Sequence, residues 1–180
     1  MLEPVEVENL IIEIRDHYVA QFRDFAARMR AEGEDGSTEV KFEVPDPGSA
    51  FRGLIVVDHI TSGEDIVASD FDPEQMLSFN RIEGLVNDMA LELEGLRWDG
   101  AVLRHDLPDA APALEDWFER WFDPDELRLD PEAELSENIH ALYVEPGELQ
   151  VDFGTAPAEA FWELLGTLSA AGAARVVVSG

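Results

Sequence analysis

The sequence sets histidine beside aspartate twice, at Asp58-His59 and at His105-Asp106. Each dipeptide stands near the end of an apolar run that reads as a strand. Were those strands to pair, two imidazoles and two carboxylates would converge, a donor set suited to Zn, Mn or Fe. The same groups suit general-base chemistry, since imidazole titrates near neutrality and a neighbouring carboxylate fixes its tautomer. Strand geometry works against such a site. Adjacent residues of a strand point to opposite faces, so Asp58 and His59 share one site only across a bulge. His105 is in phase with Leu103 and Leu107, which turns it toward a core. His140 alternates with Ile139 and Ala141 and can reach the same face, while His17 falls on the polar side of a helix.

A second group of residues is suited to recognition. Trp117 and Trp121 are four apart and share a helix face with Leu114 and Phe118, bordered by Glu115, Asp116, Glu119 and Asp123. As a core stripe these rings need no further explanation. Exposed, they form an aromatic centre with an acidic rim, which fits a basic, apolar-tipped partner.

Other chemistries find no support. The chain has no cysteine, which removes disulfides, thiolate nucleophiles and thiolate metal sites. No glycine-rich phosphate loop and no nucleophile elbow is present, and the single lysine, Lys41, sits within a strand-like run. The stretch from Asp70 resembles a calcium loop only briefly, because its sixth and twelfth positions hold Gln75 and Arg81 where glycine and glutamate are required. No cofactor is therefore expected, a divalent metal being the alternative.

Charge is the dominant feature. Forty acids against twelve bases give a formal net charge of −28. Such a chain does not bind a nucleic-acid backbone, which needs a basic footprint, nor an anionic membrane surface. The excess reflects a solvated shell or genome bias, a cation site, or a face that steers a basic protein. Eleven of the twelve bases are arginine, as in a bacterial chain from a GC-rich genome. Self-repulsion predicts a melting temperature that rises with salt. Apolar runs are too short for a membrane span, and the first residues lack a signal peptide's pattern, so a cytoplasmic location is expected.

The elements that position these groups follow from periodicity. Ile11, Ile14, Tyr18, Phe22, Phe25 and Met29 recur at helical spacing and predict a helix over about 5–32, widened by Ile12, Val19 and Ala26. This stripe serves either the core or a homodimer seam. Strands are predicted around 40–44, within 51–61, briefly at 65–68, and over 98–107 and 175–179. A hairpin joins 139–144 to 149–153 around Pro146-Gly147. Asp72-Pro73-Glu74-Gln75 reads as a helix start, followed by a stripe of Phe79, Ile82, Val86, Met89, Leu93 and Leu96. Further helices are predicted around 114–122 and 158–171, with a polar connection over about 123–137.

The expected fold is therefore α+β, a single domain over 1–180. About four helices pack on a largely antiparallel or mixed sheet, in the order α-β-β-(β)-α-β-α-β-β-α-β. The expected function is a protein-binding or regulatory module, inhibitor- or immunity-like, that presents acidic surface to a basic protein. The alternative is a metal- or small-molecule-dependent enzyme using His59, His105 and nearby carboxylates.

Overall fold

A long N-terminal helix precedes a run of strands in a computed structural model that describes residues 3–32, 36–63 and 65–180. Among these residues the chain is α+β, with three α-helices and two sheets. Helix α1 (Pro4–Glu32) buries Ile11, Ile14, Tyr18, Val19, Phe22, Phe25 and Ala26, the predicted stripe; Ile12 faces solvent instead. The apolar face offered as a dimer seam is thus spent in the chain's own core, against α3 and β1.

The smaller sheet is an antiparallel meander of β1 (Gly36–Glu43), β2 (Leu54–Ser62) and β3 (Ile66–Ser69). The larger is mixed. It contains β4 (Ile82–Val86), β5 (Met89–Leu93), β6 (Ala101–His105), β7 (Ala141–Glu145), β8 (Glu148–Asp152) and β9 (Arg175–Ser179), in the spatial order β4-β5-β9-β6-β8-β7. Among the described strands of this sheet, only β5 and β9 run parallel. The sheets meet along β7, where Val144 N–H donates to Ser49 O (2.9 Å) and Val56 N–H to His140 O (2.7 Å). The hairpin β7–β8 turns at Pro146-Gly147, with Gly147 at φ +73°.

The expected helix after Asp72 is absent, so the α-helices among the described residues number three and not about four. The 3-4-3-4 spacing that suggested it belongs to the hairpin β4–β5. Ile82 faces Leu93 and Val86 faces Met89 as direct cross-strand pairs around a two-residue Asn87-Asp88 turn. Asn87 takes φ +53°, a conformation asparagine tolerates better than most residues. Burial then alternates with period two at Met89, Leu91 and Leu93. Asp72 caps nothing here; its carboxylate accepts from Arg97 (3.1 Å). Gln75 exchanges two hydrogen bonds with Gln21, which ties this irregular segment onto α1.

Helices α2 (Ala111–Phe122) and α3 (Ala158–Ala170) pack together against the larger sheet. Trp117 and Trp121 are 4% and 5% exposed, so they belong to the core and offer no aromatic docking centre. Their indole N–H groups are satisfied within the chain, by Ala160 O (3.0 Å) and Glu163 (2.8 Å). Trp98 stacks on Phe153 at 4.6 Å between centroids and donates to Gly154 O. Each such ring stabilises by roughly 2–3 kcal/mol through burial alone. The connection from α2 to β7 carries no helix or strand, in line with its polar sequence. No described helix is long and apolar enough to cross a membrane.

Candidate functional site

Where the two sheets meet, the chain assembles a carboxylate–imidazole–carboxylate bridge. His140 immediately precedes β7 and is fully buried, with Phe22 of α1 edge-on to its ring. Its Nδ1 lies 3.1 Å from Asp58 Oδ1 on β2, and its Nε2 lies 2.7 Å from Glu39 Oε1 on β1. With both carboxyl groups ionised, each can only accept, so both ring nitrogens donate and the ring is an imidazolium. Burial opposes that charge, yet the hydrogen bonds to Asp58 and Glu39 outweigh it and hold the His140 pKa well above the usual imidazole range. Glu39 is the mirror case. Burial would raise its pKa, but the bonds from His140, Thr155 and Ser136 bring it down to about 2. Its Oε1 accepts from Thr155 Oγ1 (2.5 Å) and Ser136 Oγ (2.7 Å), and its Oε2 from Ser136 N–H (2.8 Å). The space for the imidazole comes from Gly154, whose Cβ would collide with His140.

Each carboxylate of the bridge faces a different cleft. Glu39 lines a polar cleft of about 630 Å³ beneath the 123–138 connection, together with Lys41, Arg128 and Ser136. Lys41 donates to Asp123 O (2.6 Å), and its pKa is lowered because burial outweighs the surrounding acids. Four acidic residues of this cleft, Glu39, Asp123, Glu126 and Glu137, have φ near +55°. Left-handed backbone at non-glycine residues costs on the order of 1–3 kcal/mol each and gathers at functional positions. For Asp123 a local cause exists: it caps α2, and its carboxylate accepts from Leu127 and Arg128 N–H.

Asp58 lines a second cleft of about 380 Å³, shared with Asp70, Asp99, Asp152, Tyr143 and Gln150. Among the described residues, no lysine or arginine lines it. Asp99 is held from outside the cleft by Arg97 (2.7 Å), and Asp58 by His140. Among the described residues no cation is bonded to Asp152, whose carboxylate accepts from Gly154 N–H. Burial drives its pKa up to about 7; His140 opposes this, while Asp58 and Asp99 add to it. At neutral pH this carboxyl is therefore only partly ionised.

The residues singled out from sequence are distributed differently from the converging site envisaged for them. Asp58 is central. His59, its neighbour, points the other way, as alternation requires: its Nδ1 lies 3.3 Å from Thr38 Oγ1 and its ring rests against Gly36. His105 is on the other sheet, where its Nδ1 accepts from Leu107 N–H, and Asp106 accepts from Ala174 N–H. The pair His59/His105 therefore does not assemble. Glu115 and Glu119 form ion pairs with Arg52, and Asp116 lines a shallow groove between α2 and α3. His17 is half-buried on α1. Glu39, Asp152, Ser136 and Thr155 had no motif to reveal them. Their only sequence signal is polar residues inside or next to strand-like runs.

Among the described residues, no group of three or more histidine, aspartate or glutamate side chains is arranged to hold a metal ion. In the bridge both imidazole nitrogens are already occupied by carboxylates. No family model, no curated protein and no solved structure matches the chain.

Proposed function

We propose that this protein is a binding module for a basic protein partner, inhibitor- or immunity-like in mode. Its recognition centre is the cleft of Asp58, Asp70, Asp99 and Asp152, which receives an arginine or lysine side chain. The single observation carrying this reading is Asp152. A carboxyl raised to about 7 among three other aspartates, with no cation bonded to it, is a place where an arriving guanidinium or ammonium gains most. The net charge of −28 supports the same reading, because long-range attraction would speed encounter with a basic partner. The aromatic anchors first envisaged on α2 have no part in it, since they are buried.

A hexa-arginine peptide titrated calorimetrically tests the proposal. The expected result is salt-sensitive binding that weakens at least tenfold in the triple variant Asp70→Asn, Asp99→Asn, Asp152→Asn. A control variant removes equal charge from exposed α1 positions: Glu8→Gln, Glu13→Gln, Asp24→Asn. Equal weakening in both would reduce the cleft to nonspecific charge and overturn the assignment.

One observation favours a second reading, a small polar ligand in the larger cleft: the gathering there of four acidic residues in left-handed backbone. Lys41 is the cation placed to meet an anionic group of that ligand. Thermal shifts with a panel of carboxylate and phosphate metabolites, lost in Lys41→Met, would support it. A flat profile across the panel would discard it.

A further inference from the structure

We propose that the free edge of β3 is a docking site for an extended, basic segment of the partner, which joins the small sheet as a fourth strand. This rests on the basic-partner reading above and adds the manner of attachment.

The sheet order β1-β2-β3 leaves β3 with one neighbour among the described residues, so alternate backbone N–H and C=O groups on its outer side have no ladder partner. Proteins usually guard such an edge with lysine, proline, a bulge or a covering layer. Here the strand reads Ile66-Val67-Ala68-Ser69 and has none of the first two. Its pairing with β2 is regular from Ile66 to Ser69, without a bulge. Nor is it covered. Ile66 is 77% and Val67 52% exposed, so successive residues on opposite faces are both open to solvent.

Charge identifies the occupant. Residues 54–80 contain Asp58, Glu64, Asp65, Asp70, Asp72 and Glu74 and no lysine or arginine at all. Asp65 and Asp70 bracket the strand directly. A second copy of this chain is a poor occupant. Two-fold antiparallel pairing of Ile66–Ser69 would set Asp65 of one copy against Asp70 of the other, like charges opposed across a ladder, between molecules that each carry −28. A strand with basic residues at those positions meets opposite charges instead. Asp70 also lines the aspartate cleft, so such a strand arrives at the proposed recognition centre. Main-chain pairing then supplies affinity, and the cleft supplies selectivity for a basic side chain.

The test uses two labelled octapeptides of alternating lysine and valine, one plain and one N-methylated at alternate amides on one edge. N-methylation keeps charge and side chains but removes ladder donors. The plain peptide is expected to bind at low salt, the methylated one at least tenfold more weakly. In amide NMR spectra the largest shifts are expected at Ile66–Ser69. Asp65→Asn with Asp70→Asn should weaken the plain peptide several-fold while leaving the β3 shifts in place. Equal binding of both peptides, or shifts confined to the aspartate cleft, overturns edge docking and leaves the basic-partner reading standing. If neither octapeptide binds while hexa-arginine does, edge docking alone falls. If no cationic probe binds at low salt, both fall.

Discussion

Glu39 on β1 and Asp58 on β2 both fall between the paired residues Thr38↔His59 and Val40↔Val57, and both close on His140. Like charges facing each other across a ladder ordinarily destabilise it. Here the repulsion is converted into attraction by an imidazolium inserted between them, delivered by the chain that enters the larger sheet. The two sheets are thereby locked to each other through charge as well as through the main-chain bonds beside β7. The left-handed backbone of Glu39 is the local cost of aiming its side chain inward.

The bridge should impose stability limits at both ends of the pH scale. Glu39 is held at about 2 against an ordinary value of 4.5, so its contribution is present above pH 4.5 and disappears as pH falls toward 2. That contribution is about 3 kcal/mol by linkage. His140 is raised, so its contribution is complete below about 6.5 and is lost as pH rises through its higher folded value. Urea midpoints measured across pH should show both losses. In Glu39→Gln the acid-side loss should shrink, and stability at pH 6 should drop by about 3–5 kcal/mol, since one buried partner is removed. A stable variant with an unchanged acid limb would remove Glu39 from this role.

Asp152 should behave in the opposite sense. A carboxyl whose folded value is raised from 3.8 to about 7 makes the folded state the better proton binder, so stability falls as pH rises through that window. Asp152→Asn should therefore raise the melting temperature, and by more at pH 8 than at pH 5. The same group should make a cationic peptide bind more tightly as pH rises through about 7, with proton release detectable by calorimetry in buffers of different ionisation heat. A variant no more stable than the parent at pH 8 would contradict the raised value.

Gly154→Ala should be among the most damaging single changes. The position has φ +53°, and an added methyl would overlap the His140 ring. Left-handed strain and overpacking together should cost about 2–4 kcal/mol. Denaturant unfolding reads this directly, and a loss below about 1 kcal/mol would mean the bridge can shift aside.

Much of the fold was legible because local patterns and tertiary structure agreed. The stripe of α1, the Pro146-Gly147 hairpin and the valine run of β9 are each consistent at both levels. The 82–93 hairpin was not legible because a two-residue turn places Val86 and Met89 three apart, which is also a helical spacing. The site was missed for a related reason. Asp58-His59 stands out as a dipeptide, yet alternation sends the two side chains apart; Asp58 bonds instead to His140, 82 residues later, whose other nitrogen meets Glu39 on the preceding strand. Sequence spacing cannot show contacts closed by tertiary packing. For the tryptophans of α2 the helical spacing favours a core stripe over an exposed face, and their burial agrees with the core reading.

The core role of Trp117 is open to direct measurement. Trp117→Ala removes a buried ring and its bond to Ala160, and should cost about 3–5 kcal/mol without altering affinity per folded molecule for the hexa-arginine peptide. Selective loss of peptide binding in a stably folded Trp117→Ala protein would restore α2 as a docking face.

The place of β9 at the middle of the six-stranded sheet bears on the order in which the molecule can be made. Residues 175–179 lie between β5 and β6, strands that leave the ribosome some seventy residues or more before them. Until β9 emerges, the β4–β5 hairpin has no sheet to join, and one edge of β6 is bare. Closure of the larger sheet therefore waits on synthesis reaching that strand, and a nascent chain arrested before residue 175 should be far more sensitive to protease than one released beyond it.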